Sequence, residues 1–127
     1  MPTDYFTIDG LAMRIECEPV AKERPRHTRY GGMYTPQKTV DFEQKVADAW
    51  LEQQGATLLD CPVTLWVNVG VVNMKKDIDN IVKSVADGLT KGCAWLDDRQ
   101  VVQLHAWKYP ALKGAEFVHV IVRKHDK

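Results

Sequence analysis

The pattern of hydrophobic and polar residues predicts four main strands in this 127-residue chain. From Leu11 to Cys17, apolar residues occupy every second position, which is typical of a half-buried strand. The same alternation runs through Val63–Val71, and further strands are predicted at about residues 100–109 and 116–123. Asp9-Gly10 has the composition of a tight turn, which predicts a hairpin back onto Tyr5–Ile8.

Two helices are predicted between these strands. Thr35 is a candidate N-cap with Pro36 in the first helical position, and Gly55 ends the helical spacing that follows. The second helix has the clearest apolar stripe in the chain, with Gly88 and Gly92 leaving its C-terminal end undefined. Its apolar positions are Ile78, Ile81, Val82, Val85, Ala86 and Leu89.

The order of elements is then β-α-β-α-β-β, which predicts one mixed sheet with helices packed on it, an α+β fold. Residues 19–34 show no periodicity and are expected to form a long loop, whereas Lys113-Gly114 falls in the turn between the last two strands. At this length a single domain covering residues 1–127 is expected.

The composition favours a cytoplasmic globular protein. Hydrophobic residues make up 45% of the chain, no apolar run is long enough to span a membrane, and the N-terminus lacks a signal-peptide pattern. Cys17, Cys61 and Cys93 are widely spaced and odd in number, so we expect three reduced thiols rather than disulfides or a zinc site.

Charge is distributed unevenly although the formal net charge is zero. Residues 22–38, which we call the basic segment, contain five cations and one acid. The cations are Lys22, Arg24, Arg26, Arg29 and Lys38. Residues 41–52 reverse this balance, with four acids against one lysine, and are expected to form an acidic surface. A basic segment of this kind can bind a polyanion while the whole molecule stays neutral.

Carboxylates collect where the second predicted helix begins. Asp77 and Asp79 stand at this strand-to-helix junction, and Lys83 follows Asp79 by four residues on nearly the same helical face. A second pair, Asp97-Asp98, precedes the next strand. Acids at a helix start are also favoured by the helix dipole alone, so capping and metal binding both remain open from this pattern.

Three clustered aspartates and a lysine suit Mg²⁺, with Mn²⁺ as a possible substitute. The nine residues from Leu89 to Asp98 can extend about 30 Å, which is enough for Asp98 to return to the start of the helix. Asp87 lies about 12 Å along the helix from Asp79 and is expected to be solvated or ion-paired instead. The chain contains no P-loop, and the glycine and terminal Glu of an EF-hand are missing at the required spacing.

These motifs together resemble the RusA-type Holliday junction resolvases. The resemblance covers roughly residues 15–110 and rests on Lys75-Lys76-Asp77-Ile78-Asp79-Asn80 with Lys83, on Trp95-Leu96-Asp97-Asp98-Arg99-Gln100-Val101, and on Lys22–Arg26 with Tyr34-Thr35-Pro36. It implies a homodimeric, Mg²⁺-dependent endonuclease that cuts four-way junction DNA by paired symmetrical nicks, in a bacterial host or a phage-infected cell.

The resemblance also implies residue roles. Asp77, Asp79 and Asp98 would be the metal ligands and Lys83 the catalytic lysine. The cations near these positions would contact DNA phosphates. Such contacts supply affinity without reading the DNA sequence. The set comprises Lys22, Arg24, Arg26, Arg29, Lys75 and Lys76. Two alternatives remain: a non-catalytic module that binds branched DNA, and a Mg²⁺ nuclease that prefers flaps or simple duplex.

Overall fold

The computed structural model describes residues 10–23 and 25–125, with the side chain of Arg26 excepted. The predicted hairpin onto Tyr5–Ile8 therefore lies outside the described residues. The elements are β1 (Leu11–Ile15), β2 (Arg26–His27), β3 (Met33–Tyr34), α1 (Gln37–Gln53), β4 (Val63–Val71), α2 (Ile78–Lys91), a 3-10 turn (Asp98–Gln100), β5 (Val101–Pro110) and β6 (Phe117–Lys124). This order confirms the predicted β-α-β-α-β-β arrangement, with one small hairpin added.

The main sheet is mixed and has the strand order β1-β6-β4-β5. β6 runs antiparallel to both β1 and β4, whereas β5 runs parallel to β4 from the pair Val63–Val101 to the pair Val71–Pro110. The connection from β4 to β5 passes through α2, as parallel neighbours require. β5 is consequently an edge strand of the described sheet.

The central strand β4 is buried along its whole length, which corrects the prediction of a half-buried strand. Its valines and Leu65 belong to the core beneath the helices. On the opposite face, the Trp66 ring stacks on His105 with centroids 5.1 Å apart, and Thr64 Oγ1 contacts Gln103 and His125. Flanking strands thus cover the face that alternation alone had left to solvent.

The two helices pack against each other at a glycine. Gly88 lies inside α2, and a Cβ built on it would stand 2.6 Å from Val46 Cβ and 2.8 Å from the Glu43 carbonyl oxygen. Gly88 therefore serves close helix packing, and α2 continues past it to Lys91 with Gly92 as the C-cap. The α1 start differs by one residue from the prediction: Pro36 occupies the N-cap position, without a side-chain cap, and the helix begins at Gln37.

The expectation of a long loop over residues 19–34 is corrected by two short strands within the described part of this range. β2 and β3 pair as a short antiparallel hairpin, closed by a Thr28 amide donating to the Gly32 carbonyl at 2.7 Å. Upstream, the Lys22 amide donates to Asn80 O, and Ser84 Oγ donates to Val20 O. These bonds hold residues 20–22 along α2, so the basic segment begins beside the helix that carries Asp79.

Cys17, Cys61 and Cys93 are free thiols, and burial raises the pKa of the Cys17 thiol. In the part of the chain that the structure describes, no helix has both the length and the apolar character needed to cross a membrane.

We predict that Gly88→Ala destabilises the protein by about 1–3 kcal/mol, because the added methyl group pushes α1 and α2 apart. Urea unfolding followed by circular dichroism measures the change. Gly32→Ala is the matched control, since its Cβ meets only the exposed Thr28 side chain, at 3.3 Å. Equal stability of the two variants would contradict the packing role of Gly88.

Candidate metal and nucleic-acid site

Asp77 is placed by the start of α2. Its side chain caps the helix: Oδ1 accepts from the Asp79 amide at 2.9 Å, and Oδ2 accepts from Asn80 Nδ2 at 3.3 Å. The structure therefore confirms that Asp77 caps α2, which is one of the two roles left open by the sequence. A carboxylate oxygen carries more than one lone pair, so the cap bonds leave acceptor capacity toward solvent.

Asp79 and Lys83 stand next to this cap on the exposed side of α2. Four residues separate them, so their side chains are neighbours on the helix surface. Within the described residues, no hydrogen bond or ion pair engages the Asp79 carboxylate or the Lys83 ammonium group. Two carboxylates and one ammonium group are thus presented together at one helix end.

The loop that leads to Asp77 is fixed by the end of β5. Lys108 Nζ donates to Met74 O at 2.6 Å and to Lys76 O at 2.7 Å, and Asn73 Oδ1 accepts from the Lys75 amide. Because Lys108 lies on a sheet strand, the N-terminal end of α2, which carries Asp77 and Asp79, is tied to a rigid element.

Asp97 and Asp98 form a corner before β5. Asp97 caps the 3-10 turn in a reciprocal capping box with Gln100. Hydrogen bonds from the Arg99 side chain and amide hold the pKa of Asp97 below its usual range. Asp98 is exposed. Gln100 Nε2 donates to Leu59 O and Cys61 O, which ties this corner to the residues just before β4.

The structure separates Asp98 from Asp77 and Asp79 within one chain. Since β5 is parallel to β4, the Asp98 corner lies at the start of β4, whereas Asp77 follows its end. Nine strand residues correspond to about 30 Å. The predicted return of Asp98 to the start of α2 is therefore wrong for a single chain. Consistently, residues 10–23 and 25–125 contain no group of three or more His, Cys, Asp or Glu arranged to hold a metal ion.

The cations predicted to contact DNA fall into two groups. Lys75 and Arg29 are exposed, and Arg29 lies in the turn of the β2–β3 hairpin. Lys76 and Lys22 are instead engaged by the fold: Lys76 Nζ contacts Glu18 Oε1 and Pro19 O, and Lys22 Nζ pairs with two acids. Their assignment to phosphate contact is not supported by this geometry. Arg24 and the Arg26 side chain lie outside the described residues.

Lys22 belongs to a charge cluster between α1 and α2. Its ammonium group lies 2.6 Å from Glu43 Oε2 and 3.1 Å from Asp87 Oδ2, and Lys91 Nζ lies 2.7 Å from Glu43 Oε1. The expected ion-paired role of Asp87 is confirmed. Burial opposes ionisation of Glu43, but the hydrogen bonds from Lys22 and Lys91 outweigh it, so the Glu43 pKa lies below its usual range.

Sequence reasoning missed Glu43, Glu18 and Lys108. Glu43 falls in the predicted acidic surface, yet its side chain is only 3% exposed. It lies three residues before the buried Val46, on the same face of α1, and this helical spacing was the available signal. Nothing in the local pattern points to Glu18, which pairs with both Lys38 and Lys76.

We predict that Glu43→Gln lowers the free energy of unfolding at neutral pH by about 1–3 kcal/mol, because Lys22 and Lys91 lose a buried partner. The folded-state pKa of Glu43 is depressed, so its contribution is present above about pH 4.5 and is lost as the pH falls. Urea unfolding of wild type and variant from pH 3 to pH 7 tests this. A stability difference that stays constant over that range would contradict it.

Comparisons with known proteins agree with the resemblance in the sequence. A family model described as endodeoxyribonuclease RusA matches residues 16–122. The crossover junction endodeoxyribonucleases RusA of Escherichia coli K12 and of Enterobacteria phage 82 are each 48% identical over 40 residues, covering 32% of this chain and 33% of each relative. The matched region thus spans about a third of these relatives. An uncharacterized Bacillus subtilis protein, YqaN, is 32% identical over 127 residues, covering 80% of this chain and 89% of YqaN. The chain belongs to the RusA endodeoxyribonuclease family.

Proposed function

We propose that this protein is a metal-dependent endodeoxyribonuclease that resolves four-way DNA junctions as a homodimer. The observation that carries the proposal is the exposed group formed by Asp77, Asp79 and Lys83 at the start of α2, inside the region that matches the RusA family. Relatives named as crossover junction endodeoxyribonucleases support the substrate class.

The donor set fits a hard divalent cation, for which Mg²⁺ is the expected occupant. Asp77 and Asp79 offer only oxygen ligands, from the N-cap and the first turn of α2, and Mg²⁺ accepts few protein ligands and retains water. When bound, a divalent cation makes a coordinated water more nucleophilic and polarises a phosphoryl oxygen. Lys83 stands where its ammonium group can neutralise charge that develops on the phosphate during hydrolysis.

Asp98 reaches this group from a second subunit in our proposal. If the two-fold axis of the dimer is perpendicular to β5 and passes near its middle, the two β5 strands run antiparallel. The start of one β5 then lies beside the end of the other. Lys108, near the end of β5, already holds the loop before Asp77. Asp98 of the partner subunit would then approach Asp77 and Asp79, and each dimer would hold two complete sites.

The edge at β5 suits such an interface. Within the described sheet β5 has a neighbour on one side only, and three apolar side chains on β5 or at the corner before it are exposed. They are Leu96 at 62%, Val102 at 55% and Leu104 at 47%. Exposed strand edges and clustered apolar residues are features that a second chain commonly covers.

We predict that Asp77→Asn and Asp79→Asn each reduce cleavage of a labelled four-way junction by at least about 100-fold while junction binding persists. Asparagine caps a helix as well as aspartate does, so Asp77→Asn preserves the fold. Cleavage assays with Mg²⁺, with Mn²⁺ and with excess EDTA, alongside gel-shift binding, provide the measurements.

Three outcomes would count against this proposal. Full cleavage in EDTA would exclude metal-dependent hydrolysis, and an intact junction at high protein concentration with Mg²⁺ would favour a binding module. Equal cleavage rates on linear duplex, flaps and four-way junctions would indicate a nuclease without junction specificity.

The shared site makes a separate prediction. Homodimers carrying Asp77→Asn or Asp98→Asn should both be inactive, but mixing them should restore cleavage, because one site of each mixed dimer is then intact. Differently tagged chains, co-expressed and purified as mixed dimers, allow this assay. Failure of every mixed dimer to cleave would exclude a site shared between subunits.

A further inference from the structure

Arg99 is held in a defined orientation at the corner before β5. Its Nε and Nη2 donate to Asp97 Oδ2 at 3.1 and 2.9 Å, and its amide donates to Asp97 Oδ1 at 2.8 Å. Asp97 is itself fixed by the capping box with Gln100. The guanidinium group is therefore anchored on one edge to a carboxylate that cannot easily move.

The rest of the guanidinium group faces solvent. The Arg99 side chain is 88% exposed, and no residue in the described ranges other than Asp97 forms an ion pair or hydrogen bond with it. A guanidinium group carries five N–H donors, and the two bonds to Asp97 leave the others available. The pairing with Asp97 also raises the pKa of Arg99, which keeps the group charged.

Stability of the fold does not explain this arrangement well. Ion pairs as exposed as this one contribute little to the free energy of unfolding. The cap of the 3-10 turn uses the Arg99 amide and the Gln100 side chain, so it needs no guanidinium group. A pre-oriented, exposed arginine beside a proposed metal ligand is better suited to binding an anion.

We propose that Arg99 binds a phosphodiester of the DNA in the active site of the opposite subunit. The inference rests on the proposed function, because Arg99 directly follows Asp98, which that function places in the partner's site. Its free donors match two phosphate oxygens in the bidentate geometry that arginine favours. Each site would then receive Lys83 from the subunit that supplies Asp77 and Asp79, and Arg99 from the other.

Mixed dimers with one working site test this assignment. In a dimer of an Asp77→Asn chain and an Asp98→Asn chain, the intact site takes Asp77 from the second chain and Asp98 from the first. Arg99→Ala on the Asp77→Asn chain should lower kcat for junction cleavage about 10- to 100-fold. The same substitution on the Asp98→Asn chain removes the arginine only from the dead site, so cleavage should match that of the parent mixed dimer.

The design separates the two proposals. If the parent mixed dimer cleaves and both placements of Arg99→Ala give the same rate, the assignment of Arg99 to the opposite site is overturned while the shared metal site stands. If no mixed dimer cleaves, the shared site fails and Arg99 falls with it. Arg99→Lys on the Asp77→Asn chain should recover only part of the rate, since lysine keeps the charge but lacks the fork of donors. Complete recovery would overturn bidentate phosphate binding.

Discussion

The parallel pairing of β4 and β5 is the constraint on which the rest of this structure depends. A parallel neighbour must begin beside the start of the strand it pairs with. The chain therefore has to return along α2 before β5 starts. The crossover places Asp77 and Asp79 beyond the C-terminal end of β4 and Asp98 beside its N-terminal end. No side-chain rotation closes a gap of about 30 Å, which is why the proposed site requires two subunits.

The charge cluster around Glu43 has a positional consequence. Lys22 joins α1 to α2 through Glu43 and Asp87, while the backbone bond from Lys22 to Asn80 holds the same residue against the first turn of α2. Burial of such charges adds little net stability by itself, but removal of one partner is costly. The cluster therefore fixes where the basic segment leaves the core, close to Asp79 and Lys83, even though Lys22 is not free to contact phosphate.

Sequence patterns predicted the elements well because apolar periodicity reports directly on burial. The stripe of α2 and the alternation of β1 both appear in the structure with bounds close to those expected. Periodicity carries no information on which strands pair, so the full burial of β4 and the distance of Asp98 were not predictable from it. Recognition of β4-α2-β5 as a parallel crossover unit would have placed Asp98 correctly. The ion-pair partners of Glu43 and Lys22 lie in distant segments, so no local signal identifies these contacts.

Division of the carboxylates between subunits also has a physical advantage. Three ionised carboxylates at one point of a folded chain repel one another, and at least one would tend to remain protonated. In the proposed dimer this repulsion arises only when Asp98 of the partner subunit approaches, and a divalent cation removes it. Cation binding and dimerisation then favour each other by linkage, since each is stronger in the presence of the other. The hydrolytic site would thus form only in the symmetric assembly, whose two sites match the two related strands of a four-way junction.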